Sequence, residues 1–203
     1  MNTVSFTGQP IAPSKIVCVG RNYAAHIAEL GNETPEEPVI FVKPNSAIGA
    51  RPLASTADEI HYEGEIALLI QGGAIAGVGF GLDLTKRAVQ LRLKTKGLPW
   101  ERAKGFDGAA VFSDFVPFVG DLDSLRLELW IDGARVQAGG VARMLFKPQA
   151  LLAEVATFMT LADGDLLMTG TPEGVGAIHT GQQMVGKVFA GARLLVEVGW
   201  TVG

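Results

Sequence analysis

The run His61-Tyr62-Glu63-Gly64-Glu65 places two carboxylates two residues apart. On a strand, alternate residues share a face, so His61, Glu63 and Glu65 are expected to form one polar row. The chain then turns apolar at Ile66-Ala67-Leu68-Leu69-Ile70, which carries this end of the row into a core. Two like charges buried side by side are costly unless solvent or a cation accompanies them. Asp83, at the end of an apolar glycine-rich run, is a third carboxylate. Three carboxylates without a sulfur donor make a hard oxygen site, suited to Mg²⁺ or Mn²⁺ with water or substrate completing the shell. Spacing alone leaves a second reading open, a solvated edge strand with Asp83 capping a helix.

His26 and Glu29 lie three apart on an expected helix and share one face. A histidine oriented by a carboxylate can act as a general base near neutral pH. The helix stands between Arg21 and the acidic, proline-containing stretch Asn32 to Pro38, so residues about 22–37 are expected to form a mobile lid. An ordinary surface pair is the competing reading of these two residues.

The elements that must position these groups are short. Lys15 to Val19 and Val39 to Val42 read as strands. Asn22 is placed to cap a helix ending near Leu30, with Gly31 closing it. His61 to Ile70 reads as one strand. Leu84 to Lys96 reads as a helix stopped by Gly97 and Pro99, and Pro148 to Thr160 as another. Leu125, Leu127, Leu129 and Ile131 alternate with polar or large residues, the period of a strand, and Asp132-Gly133 is a hairpin signal. Gly170 to Gly176 reads as a turn-rich loop, and Lys187 to Val198 as a hairpin. Mixed strands with a few short helices predict an α+β, mainly β, single domain spanning 1–203.

The chain has 203 residues with 26 glycines, a net charge of −4 and a single cysteine. No block of lysine and arginine stands out, which argues against nucleic-acid binding. The longest uncharged run, Ile66 to Leu82, is broken by glycines and falls short of the ~20 apolar residues of a spanning helix. Met1 to Pro10 shows no basic segment followed by an apolar one, so no secretory leader is expected. Cys18, alone in an apolar run, excludes a disulfide framework and reads as a buried thiol; a reducing cytoplasm fits. No serine sits in a nucleophile-elbow motif. The loop Gly170 to Gly176 lacks the Gly-Lys-Ser/Thr ending of a phosphate-binding loop.

Six motifs in order resemble the fumarylacetoacetate hydrolase family, in particular its short acylpyruvate hydrolase branch. They are Val19-Gly20-Arg21-Asn22-Tyr23 with His26; Glu36-Glu37-Pro38 with Phe41-Val42-Lys43-Pro44; and His61-Tyr62-Glu63-Gly64-Glu65. Then come Leu82-Asp83-Leu84-Thr85 with Arg87 and Gln90; Gly97-Leu98-Pro99-Trp100 with Ala103-Lys104-Gly105-Phe106-Asp107; and Gly164-Asp165 with Thr169-Gly170-Thr171-Pro172-Glu173-Gly174-Val175-Gly176. The resemblance implies a mixed β-sheet roll, a homodimer, and one Mg²⁺ or Mn²⁺ per chain held by Glu63, Glu65 and Asp83. It implies His26 and Glu29 as a catalytic pair, Lys104 beside the metal, and Arg21, Gln90 and Thr171 on the substrate side.

The activity the resemblance implies is cleavage of the carbon–carbon bond of acylpyruvates to pyruvate and a carboxylic acid. His26 would deprotonate a water that attacks the C4 carbonyl, and the C3–C4 electrons would leave as pyruvate enolate. Lys104 would either donate to the developing negative charge or simply pair with a ligand carboxylate. The same enolate arises in oxaloacetate decarboxylation and in keto–enol exchange, so a tautomerase or decarboxylase is the alternative.

The chain departs from the family in three places. Glu65 and Asp83 are only 18 apart (83 − 65), where relatives carry a longer connection with a short helix. Asp83 should still reach the metal if the strands reconnect by turns. Gly139 to Met144 lacks the small hydroxyl residues usual there, and Asp121 to Ser124 is trimmed.

Overall fold

The structure, a computed structural model, describes every residue of the chain except 56. It is α+β and mainly β, as the alternation of short apolar runs and glycine turns predicts. The largest sheet has eight strands. Its order runs Val39–Pro44, Lys15–Gly20, Leu166–Met168, Gly64–Gln71, Ala74–Asp83, Ala110–Phe112 and Ile48–Gly49, with Val116–Pro117 also on Ala74–Asp83. A four-stranded sheet (Ala134–Gly140, Leu125–Ile131, Gln183–Ala190, Arg193–Thr201) packs on it. A small sheet joins Gly176–Ala177, Ile60–Tyr62 and Thr85–Lys86. A two-stranded sheet (Val4–Phe6, Gln9–Ile11) and four α-helices, α1 (Ala24–Glu29), α2 (Arg87–Thr95), α3 (Glu101–Lys104) and α4 (Pro148–Ala156), complete the elements of the described residues with three short 3-10 turns. No helix among them is long and apolar enough to cross a membrane.

Burial strictly alternates along Leu125–Ile131, with the leucines and Ile131 inward. Asp132 and Gly133 both take positive φ (50° and 81°), which a two-residue hairpin turn requires. Between the two sheets, Phe80 fills space that only a glycine leaves. A Cβ on Gly186 would lie 2.4 Å from its ring. The core is continuous from Val17 and Leu68 through Phe80 to Leu127, Leu129 and Val188.

Four elements differ from expectation. The strand expected over His61 to Ile70 breaks at Glu63. Ile60–Tyr62 leaves for the small sheet, pairing His61 with Thr85, while Gly64–Gln71 joins the large one. His61 therefore does not continue the carboxylate row; its Nε2 lies 2.7 Å from Glu59. The helix expected from Leu84 starts only at Arg87, because Thr85–Lys86 is drawn into that same pairing. Asn22 does not cap α1: its amide donates to the carbonyls of Phe146 and Thr169, fastening two distant segments. The helix expected over Pro148 to Thr160 ends at Ala156.

The short Glu65–Asp83 connection is a hairpin. Gly72 and Gly73, at φ 57° and 73°, turn the chain in two residues. The antiparallel register sets Glu65 opposite Gly81 and Gly64 opposite Leu82, and the amide of Asp83 donates to the Glu63 carbonyl at 2.8 Å. Strand pairing thus brings residues 63, 65 and 83 together without the missing helix.

Candidate active site

Glu63, Glu65 and Asp83 are all buried, and one ligand atom from each lies within 4.8 Å of the others. Three cations surround them. Lys104 Nζ donates to Glu63 Oε2 (2.8 Å), Asp83 Oδ2 (2.7 Å) and Thr85 Oγ1 (2.7 Å), so all three of its hydrogens are committed. Lys43 Nζ lies 2.8 Å from Asp83 Oδ1, an ion-pair contact without hydrogen-bond alignment, and donates instead to the Lys104 carbonyl. Arg87 Nη2 donates to Glu63 Oε1, and its Nη1 to Gln90 Oε1 at 2.8 Å. Lys43 and Arg87 stand in the motifs read from the sequence, yet neither was expected to act here. The signal for Lys43 was a lysine directly after the apolar run Val39 to Val42. For Arg87 it was the i,i+3 spacing to Gln90.

These contacts divide the carboxylates. Burial pushes Glu63 up, but Lys104, Arg87 and His26 outweigh it and hold the carboxyl below the ordinary range. Among the described residues Glu65 has no ion-pair partner; the amide of Gly170 donates to its Oε2 at 2.7 Å. Burial, then Asp83 and Glu63, raise the Glu65 carboxyl. A buried carboxylate facing two others, with Asp83 Oδ1 left without a hydrogen-bond donor, is a donor set that a divalent cation would complete. The residues present therefore fit such an ion, and the oxygen-only set suits Mg²⁺ or Mn²⁺. For Lys104, burial lowers the ammonium pKa, but Asp83 and Glu63 raise it further, so it stays a fixed positive charge.

Through Glu63 the triad adjoins a narrow cleft whose lining also includes Lys104, Arg87, Gln90, His26 and Arg21. A roomier concavity elsewhere, around Val4, Ile48 and Phe112, carries one carboxylate, Asp114, and no such cluster. His26 is buried, and its Nδ1 lies 3.0 Å from Glu29 Oε2. Glu29 Oε1 in turn accepts from the Gly174 amide at 2.9 Å, fastening the end of α1 to the loop 170–176. With Nδ1 facing Glu29, His26 Nε2 is the nitrogen left for chemistry. Thr171 is not among the cleft-lining residues. Its hydroxyl donates to the Gly64 carbonyl at 3.0 Å and accepts from Gln137 Nε2 at 2.9 Å. Gln137 Oε1 also accepts from the Gly64 amide at 2.8 Å, so Gln137 and Thr171 together pin the strand break beside Glu63. Gln137, a polar residue on an apolar strand of the other sheet, had no motif to mark it. Cys18 is fully buried, with its thiol raised by burial and by Asp83, which removes it as a nucleophile.

A curled mixed β-structure with a buried oxygen-donor cluster, a histidine–carboxylate pair and an adjoining cleft marks a candidate enzyme site. The chain belongs to the fumarylacetoacetate (FAA) hydrolase C-terminal family, which it matches over residues 15–202. It is 43% identical over 203 residues to the oxaloacetate tautomerase YcgM of Escherichia coli (strain K12), covering 91% of this chain and 92% of that one. It is 38% identical over 186 residues to a mitochondrial oxaloacetate decarboxylase of Dictyostelium discoideum, covering 83% of this chain and 85% of that one. The crystal structure of a fumarylpyruvate hydrolase from Pseudomonas aeruginosa, in complex with Mn²⁺ and pyruvate, superposes with a TM-score of 0.89 at 31% identity. That match covers 100% of this chain and 96% of the other. The nearby curated relatives are thus named for oxaloacetate chemistry rather than for acylpyruvate hydrolysis.

Proposed function

We propose that this protein interconverts the keto and enol forms of oxaloacetate at one Mg²⁺ or Mn²⁺ held by Glu63, Glu65 and Asp83. The observation that carries this reading is the buried carboxylate triad, whose Glu63 lines the same cleft as a base, His26, already oriented by Glu29. The name of the 43% identical relative, an oxaloacetate tautomerase, supports it. Bound there, the cation would act as a Lewis acid toward the 2-oxo acid and stabilise negative charge on the C2 oxygen.

The protein supplies the proton transfer. His26 Nε2 takes a proton from C3, and the C3–H electron pair becomes the C2=C3 bond. The C2 oxygen takes a proton from cleft water, and His26 returns its own to solvent, so the net change is a shift of one hydrogen. Lys104 is unsuited to donate that proton. Its three hydrogens are engaged and its pKa is raised, so it fixes Glu63 and Asp83 in place. Gln90 accepts from Arg87 through its oxygen, leaving its amide hydrogens for a substrate oxygen. We expect a homodimer in solution.

Cleavage of acylpyruvates is the second reading. It is favoured by the likeness to a fumarylpyruvate hydrolase, and by a base that could deprotonate water instead of C3. Enol absorbance of oxaloacetate, followed with Mg²⁺ and then with excess chelator, tests both readings beside acetylpyruvate cleavage. Chelator-sensitive keto–enol exchange that outpaces acetylpyruvate cleavage, and is lost in Glu63→Ala, is the expected result. Faster acetylpyruvate cleavage would favour the hydrolase. Full exchange in chelator-treated Glu63→Ala would remove the site assignment.

A further inference from the structure

The cleft carries cations that the carboxylate triad does not explain. Arg21, Lys94 and Asn32 line it with Phe41 and Trp100, continuous with Glu63 and Arg87. Arg21 follows directly on the strand Lys15–Gly20 and sits at φ 56°, a left-handed conformation that residues with side chains rarely adopt. Its Nε is buried and has no hydrogen-bond partner, and the same holds for Nε of Arg87. Lys94 Nζ donates to a neutral acceptor, Asn32 Oδ1, at 2.5 Å. Burial, then the like charges of Arg21 and Arg87, lower the Lys94 ammonium.

Arg21 and Arg87 thus lie close enough to oppose Lys94, and Glu63 neutralises only Arg87 among these three. Among the described residues, neither Arg21 nor Lys94 pairs with a carboxylate. Gathering like charges against aromatic walls is unfavourable in the empty cleft and favourable once an anion enters. A strained backbone residue carrying an unsatisfied guanidinium N–H, beside an ammonium without a counter-ion, is a site prepared for a ligand.

We infer that Arg21 and Lys94 bind the far carboxylate of the substrate, so that the protein selects 2-oxo diacids over 2-oxo monoacids. This rests on the reading that the C1–C2 end of a 2-oxo acid sits at the triad. Oxaloacetate and fumarylpyruvate carry a far carboxylate; acetylpyruvate and pyruvate do not. Selection at this end thus sets which acids enter, independently of which reaction follows.

Malate and lactate separate the two ends. Both offer a C1 carboxylate and a C2 hydroxyl, and only malate has a second carboxylate. Calorimetric titration of each acid into Mg²⁺-loaded protein gives a preference ratio. The wild type should prefer malate, and Lys94→Met and Arg21→Met should each reduce that preference about tenfold, the loss of one charge-assisted contact. Lys94→Arg, which keeps the cation, should retain most of it, and far-UV circular dichroism checks that each variant is folded. A wild type that binds both acids equally, or a preference unchanged in both Met variants, overturns the far-carboxylate site and leaves the triad reading intact. Binding of neither acid to the wild type would instead overturn the 2-oxo acid reading, and this inference with it.

Discussion

Lys43 has no exposed surface, and its ammonium lies 2.8 Å from Asp83 Oδ1. A charge so placed is stable only while its partners stay, and they depend on it equally. Lys43→Met keeps the length of the stem and removes the charge, leaving Asp83 Oδ1 without its ion-pair partner and the Lys104 carbonyl without a donor. Breaking a buried pair from one side costs about 3–5 kcal/mol. Lys104 still compensates Asp83 through the other oxygen, which places the expected loss at the lower end. Chelator-treated Lys43→Met should therefore unfold at a lower urea concentration, equivalent to about 3 kcal/mol. An unchanged midpoint would mean that the ion pair adds nothing to the fold. The same argument shows why this residue was hidden. Its sequence context, apolar residues before it and Pro44 after it, is equally that of a lysine at the end of a strand. Only the packing of α3 and Asp83 around it reveals a buried charge.

Elements reach the site through anchors outside it, and Asp165 is the plainest. Its Oδ1 accepts from the Ser14 amide (2.8 Å), the Ser14 hydroxyl (2.8 Å) and the Lys15 amide (3.1 Å). Its Oδ2 accepts from Lys15 Nζ (2.6 Å) and the Ala162 amide (2.9 Å). This carboxylate ties together the starts of two parallel neighbours, Lys15–Gly20 and Leu166–Met168, which lead to Arg21 and Thr169. Burial raises the Asp165 carboxyl, but Lys15, Ser14 and the amides of Ala162 and Lys15 lower it further. A carboxyl depressed in the folded state contributes stability above its unfolded pKa, near 3.9, and loses it as pH falls through the folded value. Asp165→Asn should cost about 1.5–3 kcal/mol at pH 7, the range for hydrogen bonds to a charged group. Urea unfolding at pH 7 and again below pH 3 checks this: the gap between wild type and variant should narrow in acid. A gap of constant size would assign the loss to shape rather than charge. Elements with a clean period were legible from sequence, as Leu125–Ile131 shows. The break at Glu63 was not, because the apolar second half of His61 to Ile70 reads as a strand and a glycine within it marks no definite end. What divides it is tertiary: Thr85–Lys86 and Gly176–Ala177 capture one half, while Gln137 and Thr171 fix the joint. The triad survived that error, since its residues come together through the hairpin register rather than through a row on one strand.

At the scale of the molecule, the site is where separate segments meet. Glu63, Glu65 and Asp83 come from one hairpin and the joint before it. Lys43 comes from the far edge of the sheet, Arg87 and Lys104 from α2 and α3, and the Gly170 amide from the loop after Leu166–Met168. Without a divalent ion, burial and then the facing Asp83 and Glu63 raise the Glu65 carboxyl against the Gly170 amide and Lys104. An ion that binds the folded chain and not the unfolded one stabilises the whole by mass action, about 2.7 kcal/mol at a hundredfold excess over its dissociation constant. For a chain of this length, each kcal/mol raises the melting temperature by about 2–4 °C, which gives an expected rise of about 5–10 °C. Thermal unfolding across a Mg²⁺ or Mn²⁺ titration should show a midpoint that climbs with the logarithm of ion concentration and returns to its start with chelator. Glu63→Ala should flatten that climb, because one of three ligand positions is gone, while the core around Phe80 and Leu129 remains intact. A wild-type midpoint indifferent to both ions would mean that the three cationic side chains alone balance the triad, and the buried cluster would then be a structural ion network rather than a metal centre.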